Sequence, residues 1–81
     1  MSYRLKYDPG VEAVHDSLPP DVSDQVTEAL ADTCDDPIAN SHPYGFEDHI
    51  MRKINTAGVS ISVFVSHRDK TVSVLDISRL P

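Results

Sequence analysis

Hydrophobic and polar positions along the chain follow two periods, and the switch between them divides it. Tyr3-Arg4-Leu5-Lys6-Tyr7 puts a large apolar side chain at every second residue, which predicts a strand with Tyr3, Leu5 and Tyr7 on one face. Asp8-Pro9-Gly10 ends it; Asp8 can cap a helix that has Pro9 at its first position. Val11, Val14 and Leu18 then recur at helical spacing, so a short helix is expected over 10–17. Pro19-Pro20 interrupts it. From Asp21 onward, Val22, Val26, Ala29, Leu30 and Thr33 fall at i, i+4, i+7, i+8 and i+11, the clearest amphipathic helix in the chain. Asp21 and Asp24 near its start suit the helix dipole. Two helices joined at a proline pair predict a helical hairpin.

Residues 35–48 carry two prolines, a glycine and little periodicity, and read as a long loop. The period-2 pattern then returns. His49 to Asn55 is one expected strand, and Thr56-Ala57-Gly58 a tight turn. Beyond it Val59, Ile61, Val63 and Val65 alternate with Ser60, Ser62, Phe64 and Ser66, so one face is buried and the other largely open. His67-Arg68-Asp69-Lys70 reads as a polar hairpin loop. In the last strand, 71–78, the apolar phase slips between Val74 and Leu75, as a bulge or two-sided burial would require. The first strand must join this sheet, because a lone strand is unstable. The expected fold is one α+β domain over 1–81: two N-terminal helices forming a helical hairpin on a small antiparallel sheet, in the order β-α-α-β-β-β.

Charge and cysteine content narrow the function. The 81 residues carry a formal net charge of -6, which argues against independent binding to DNA or to nucleic acid in general. The charge is uneven. Residues 1–36 hold nine acids against Arg4 and Lys6, a net of -7, and residues 37–81 hold four acids against five bases, a net of +1. An anionic ligand, or an acidic peptide, is therefore expected on the sheet half. The single cysteine, Cys34, fits a reducing cytoplasm and a buried structural role. Residues 1–7 are too short and polar for a secretory signal, and no apolar stretch approaches a membrane span. The histidines show no metal spacing, and no cofactor motif is present.

The order of elements, with particular residues, resembles the RelE/ParE superfamily of bacterial toxins from type II toxin–antitoxin pairs. The resemblance rests on the first strand, on Leu18-Pro19-Pro20-Asp21-Val22 at the helix joint, and on Asp35-Asp36-Pro37 after the second helix. Met51-Arg52-Lys53-Ile54, Gly58, Ile61-Ser62-Val63-Phe64-Val65 and Thr71-Val72-Ser73-Val74-Leu75-Asp76-Ile77 extend it along nearly the whole chain. It implies a cytoplasmic, toxin-like protein neutralised by an antitoxin protein. In many members basic side chains on the open sheet face meet mRNA in the ribosome and cleave it. Others poison DNA gyrase and need no nuclease site.

Cleavage by the RNA 2'-hydroxyl needs a base, an acid and cations at the phosphate. The resemblance puts Lys53 at a family lysine position and Arg79 where the family has His or Arg. Met51 falls where another base is common, and Ser60 where RelE-like enzymes carry arginine. Serine cannot act as a bidentate phosphate clamp. In that register Arg52 would point toward the helices, which is unusual for arginine; a one-residue change would put Arg52 on the open face and turn Lys53 inward, and either register keeps one base there. The C-terminal tyrosine or histidine acid of the family would lie past Pro81. His49 is a possible base if it joins the open face. The candidate catalytic residues are thus Lys53, Arg79 and Arg52, in an mRNA interferase with a degenerate site. The alternative is a non-catalytic protein-binding module, with Phe64 and the loop aromatics Tyr44 and Phe46 as contact surface.

Overall fold

The computed structural model describes residues 2–43 and 50–80. Strand β1 (Arg4–Tyr7) is followed by helices α1 (Val11–Asp16) and α2 (Pro20–Asp35). Strands β2 (His42–Pro43), β3 (Met51–Thr56), β4 (Val59–Ser66) and β5 (Thr71–Arg79) follow. They form one sheet in the order β1-β5-β4-β3-β2. The α+β class and the expected order hold, with two refinements. The meander β3–β4–β5 is antiparallel, but β1 lies parallel to β5, so the sheet is mixed. Alternation of Tyr3, Leu5 and Tyr7 reports a strand's face and not its direction, so this was not readable from the pattern. A two-residue strand, β2, also emerges from the expected loop and pairs with β3.

The valine face of β4 organises the core. Val59, Ile61, Val63 and Val65 are essentially fully buried, together with Val72 and Val74 of β5. Val26, Leu30 and Thr33 of α2 pack on the same side. Thr33 tolerates burial because its hydroxyl donates back to the Ala29 carbonyl at 2.8 Å. The phase slip in β5 is a bulge. Ser62 pairs with Asp76 but Val63 pairs with Val74, which leaves Leu75 as the extra residue and keeps Val74 and Ile77 inward.

Helix α1 begins two residues later than its cap signal predicts. Gly10, at φ 84°, is the N-cap residue, and Asp8 contributes its backbone carbonyl to the Val11 amide at 3.1 Å. A left-handed φ suits glycine, which explains Gly10 in this sharp entry. Helix α2 has Pro20 in its first turn, where a missing N–H costs nothing.

His15 is buried and ties three elements together. The Ser23 carbonyl, 3.2 Å from Nε2, can only accept, so Nε2 carries the proton. Nδ1 then accepts from the Tyr7 hydroxyl at 2.8 Å. β1, α1 and α2 are thereby joined by one ring. Burial first, then the carboxylates of Glu12 and Asp16 and finally Cys34, push the Tyr7 hydroxyl above its ordinary value near 10.

Two predictions follow from local geometry. Ala57 (φ 52°) and Gly58 (φ 72°) form the two-residue turn between Thr56 and Val59, with both central residues left-handed. Asparagine tolerates that conformation better than alanine, so Ala57→Asn should stabilise the domain by about 0.5–1 kcal/mol in urea denaturation; a lower midpoint would contradict the turn. A raised tyrosine pKa contributes stability below the unfolded value and loses it as pH rises through the folded one. Stability should therefore fall above pH 10, and Tyr7→Phe should flatten that fall while lowering stability at neutral pH by about 1 kcal/mol.

Candidate functional site

The sheet face away from the helices is assembled by register alone. Residues directly opposite on neighbouring strands share a face. Because Val63 and Ile61 point to the helices, their partners Arg52 and Ile54 do so too, and Met51, Lys53 and Asn55 line the open face with Phe64, Ser62 and Ser60. Parallel pairing of β1 adds Lys6 beside Ser73 and Arg4 beside Thr71. Tyr3 and Tyr7 meanwhile pack inward. Two transverse rows result. One runs Met51, Phe64, Ser73, Lys6; the other runs His42, Lys53, Ser62, Asp76.

The three candidate cations of the sequence do not converge. Lys53 is half-buried on the open face, in one of the two registers the sequence leaves open. Arg52 is on the helix side and only 5% exposed, so the slip that would bring it outward does not occur. Arg79 is exposed at the end of β5 opposite Val59, a helix-side register position away from Lys53. Ser60, which the resemblance aligns with an arginine, is buried between Asn55 and Ser78. Its hydroxyl offers no charge to a phosphate. His49, Tyr44 and Phe46 lie outside the described residues.

Arg52 has a structural task that its isolated charge did not advertise. Its Nε donates to Ser41 Oγ at 2.8 Å, and one terminal nitrogen donates to the carbonyls of Ser41 (2.6 Å) and Ile38 (3.0 Å). Ser41 in turn donates to the Pro37 carbonyl. Asn40 adds bonds from its side-chain amide to the Asp32 and Asp36 carbonyls, at 2.8 and 3.1 Å. The stretch after α2 is thus hydrogen-bonded chain rather than loose loop. It delivers His42 to the place beside Lys53. The serine and arginine types were visible in the sequence, but no local pattern links positions eleven apart across a turn.

Two further cations on the open face, Arg4 and Lys6, lie outside the set singled out from the sequence. They line an open cleft of about 440 Å³ with Leu5, Asp69 and Thr71 at the β1 edge. Strand alternation was the signal that could have found them, since it sets both opposite the inward tyrosines. The face also carries Phe64, a large apolar side chain that is 42% exposed. Asp69 on this cleft and Asp76 in the row of Lys53 are the acids at the sheet; Glu12, Asp16, Asp21, Asp24, Glu28, Asp32 and Asp35 sit on the helices. Among the described residues no cluster of three His, Cys, Asp or Glu side chains is arranged to hold a metal ion. Cys34 is buried; burial, then the Asp35 carboxylate, push its thiol upward and away from nucleophile chemistry. No helix among the described residues is long and apolar enough to cross a membrane.

No family model matches the sequence, and no curated protein sequence matches it significantly. Solved structures do match the fold. The isolated Escherichia coli RelE toxin superposes with a TM-score of 0.85 at 20% identity, over 99% of this chain and 86% of that one. The RelBE2 toxin–antitoxin complex from Mycobacterium tuberculosis matches with a TM-score of 0.79 at 15% identity, over 98% of this chain and 99% of that chain. The archaeal RelE–RelB complex from Pyrococcus horikoshii matches at 0.76 and 17% identity, over 98% of this chain and 96% of that one. This chain has the RelE toxin fold along almost its full length.

The two adjacent bases of β3 should separate cleanly in stability measurements. Arg52→Met leaves buried carbonyls without their donor and should cost roughly 2–4 kcal/mol. Lys53→Ala should cost no more than about 1 kcal/mol. Equal losses by chemical denaturation would contradict the assigned faces.

Proposed function

We propose that this protein is the toxin-like component of a type II toxin–antitoxin system, restrained by an antitoxin protein. The observation that carries the reading is the full-length match to RelE, both alone and in complexes with its antitoxin. Fold alone is an associational warrant, so the site must carry the chemistry.

The working surface in this reading is the open sheet face, acting in the cytoplasm on mRNA held in the ribosome. Lys53 supplies positive charge to the phosphate there. His42, in the pair directly opposite Lys53, places an imidazole beside the same substrate. Arg52 serves by holding the chain that carries His42, and Arg79 stands outside the site. With serine at position 60, the phosphate has one fewer cation than the family pattern implies, so cleavage is slow. The alternative, a non-catalytic module that blocks a protein target, is favoured by that same serine.

Cleavage of mRNA in a purified translation reaction, mapped by primer extension, tests the reading. Codon-linked cuts are expected with the wild-type protein. Lys53→Ala should reduce them roughly a hundredfold, within the range for losing a transition-state charge contact, while Arg79→Ala leaves them in place. A translational block without cuts would support the binding module. Neither block nor cuts at high protein concentration would remove the toxin reading.

A further inference from the structure

We infer that Asp76 and His42 are the base and the acid of RNA cleavage, placed at the two ends of a row that has Lys53 between them. The inference rests on the nuclease reading proposed above and names the groups that move the protons.

Register sets four residues in one line. His42 is opposite Lys53, Lys53 is opposite Ser62, and Ser62 is opposite Asp76. Neighbouring strands are about 4.8 Å apart, so three steps put the backbones of His42 and Asp76 about 14 Å from each other. Both residues are exposed. An in-line displacement at phosphorus has its attacking and leaving oxygens on opposite sides, and each needs a proton-transfer group within about 3 Å. A carboxylate and an imidazole at the ends of this row leave room for one phosphate between them, with Lys53 to meet its charge. Among the described residues no other carboxylate and no other imidazole stands at an open-face position of the strands.

Each end of the row is held before any substrate arrives. The Ser78 hydroxyl donates to Asp76 Oδ2 at 2.5 Å, and Oδ1 is the oxygen that takes the proton. His42 directly follows Ser41, which Arg52 binds through both its hydroxyl (2.8 Å) and its carbonyl (2.6 Å). Asn40, one residue earlier, is tied to the Asp32 and Asp36 carbonyls. Arg52, Ser41 and Ser78 are thus positioning residues. Groups fixed in advance need no reorganisation when the reaction occurs. The placement of Asp76 also points away from a binding role. A carboxylate in the row of Lys53 repels a phosphate and opposes the attraction that the lysine supplies. Proton transfer accounts for an acid at that position.

The step balances. A carboxylate can only accept, so Asp76 takes the 2'-hydroxyl proton as O2' bonds to phosphorus. The P–O5' bond breaks and its electron pair leaves on O5'. The His42 ring, entering with both nitrogens protonated, gives one proton to that oxygen. The products are a 2',3'-cyclic phosphate and a 5'-hydroxyl, with Asp76 protonated and His42 neutral. Transfer of one proton from Asp76 to His42 through water resets the pair.

A sulfur substitution separates the two roles. An mRNA with sulfur in place of the bridging 5'-oxygen at the cut linkage has a leaving group that departs without a proton. On ordinary mRNA in a programmed ribosome, Asp76→Asn and His42→Gln should each slow cutting about a hundredfold. On the sulfur mRNA His42→Gln should cut at the wild-type rate, and Asp76→Asn should stay slow. Asparagine keeps an oxygen for Ser78 to donate to, so its loss of rate reports the proton and not the fold. Wild-type cutting of ordinary mRNA by either variant overturns the inference, as does a failure of sulfur to rescue His42→Gln or an equal rescue of Asp76→Asn. If cuts survive both changes but vanish in Lys53→Ala, the inference falls and the nuclease reading stands. If the wild-type protein cuts neither mRNA, both fall.

Discussion

Burial of the valine face of β4 under α2 is the constraint on which the other features depend. Side chains alternate along a strand with a period of two, so fixing Val59, Ile61, Val63 and Val65 inward fixes Ser60, Ser62, Phe64 and Ser66 outward. Register then transmits that choice across the sheet. Lys53 faces out because Ser62 does, and Arg52 faces in because Val63 does. Lys6 faces out through Ser73. A slip of one residue between β3 and β4 would exchange the two bases of β3 and bury a lysine in place of an arginine.

The inward arginine is what makes this register sustainable. A guanidinium keeps its charge at any ordinary pH and offers five N–H donors in a planar fork. That geometry suits the carbonyls of Ile38 and Ser41 and the Ser41 hydroxyl. Lysine could supply charge but not the fork. The consequence is that one base is consumed in holding the segment after α2, and another, one residue on, is left to the open face. The same segment places His42 across from Lys53. Stability and the placement of His42 beside Lys53 are therefore coupled through Arg52, although Arg52 itself lies on the helix side of the sheet.

Much of this was legible in the pattern of residues. The helical recurrence of Val22, Val26, Ala29 and Leu30, the strict alternation in β4 and the phase slip at Leu75 all report local geometry, and each element forms where its period predicts. Direction and pairing are non-local, so the parallel placement of β1 beside β5 left no trace in Tyr3, Leu5 and Tyr7. The buried roles of His15 and Arg52 were hidden for a related reason. Polar residues announce burial only through their partners, and those partners, Tyr7, Ser23 and Ser41, are brought together by the fold. Net charge is a different case: it sums over the whole surface, whereas most of the acids sit on the helices.

The central claim is that this open face, and not the acidic helical side, is the surface that meets RNA. Photocrosslinking from a 4-thiouridine-substituted mRNA in a programmed ribosome, with the attached peptides mapped by mass spectrometry, asks this directly. The account predicts adducts on β3 and β4, centred on Met51, Lys53 and Phe64. Adducts confined to α2, or none from a protein that blocks translation in the same reaction, would contradict it.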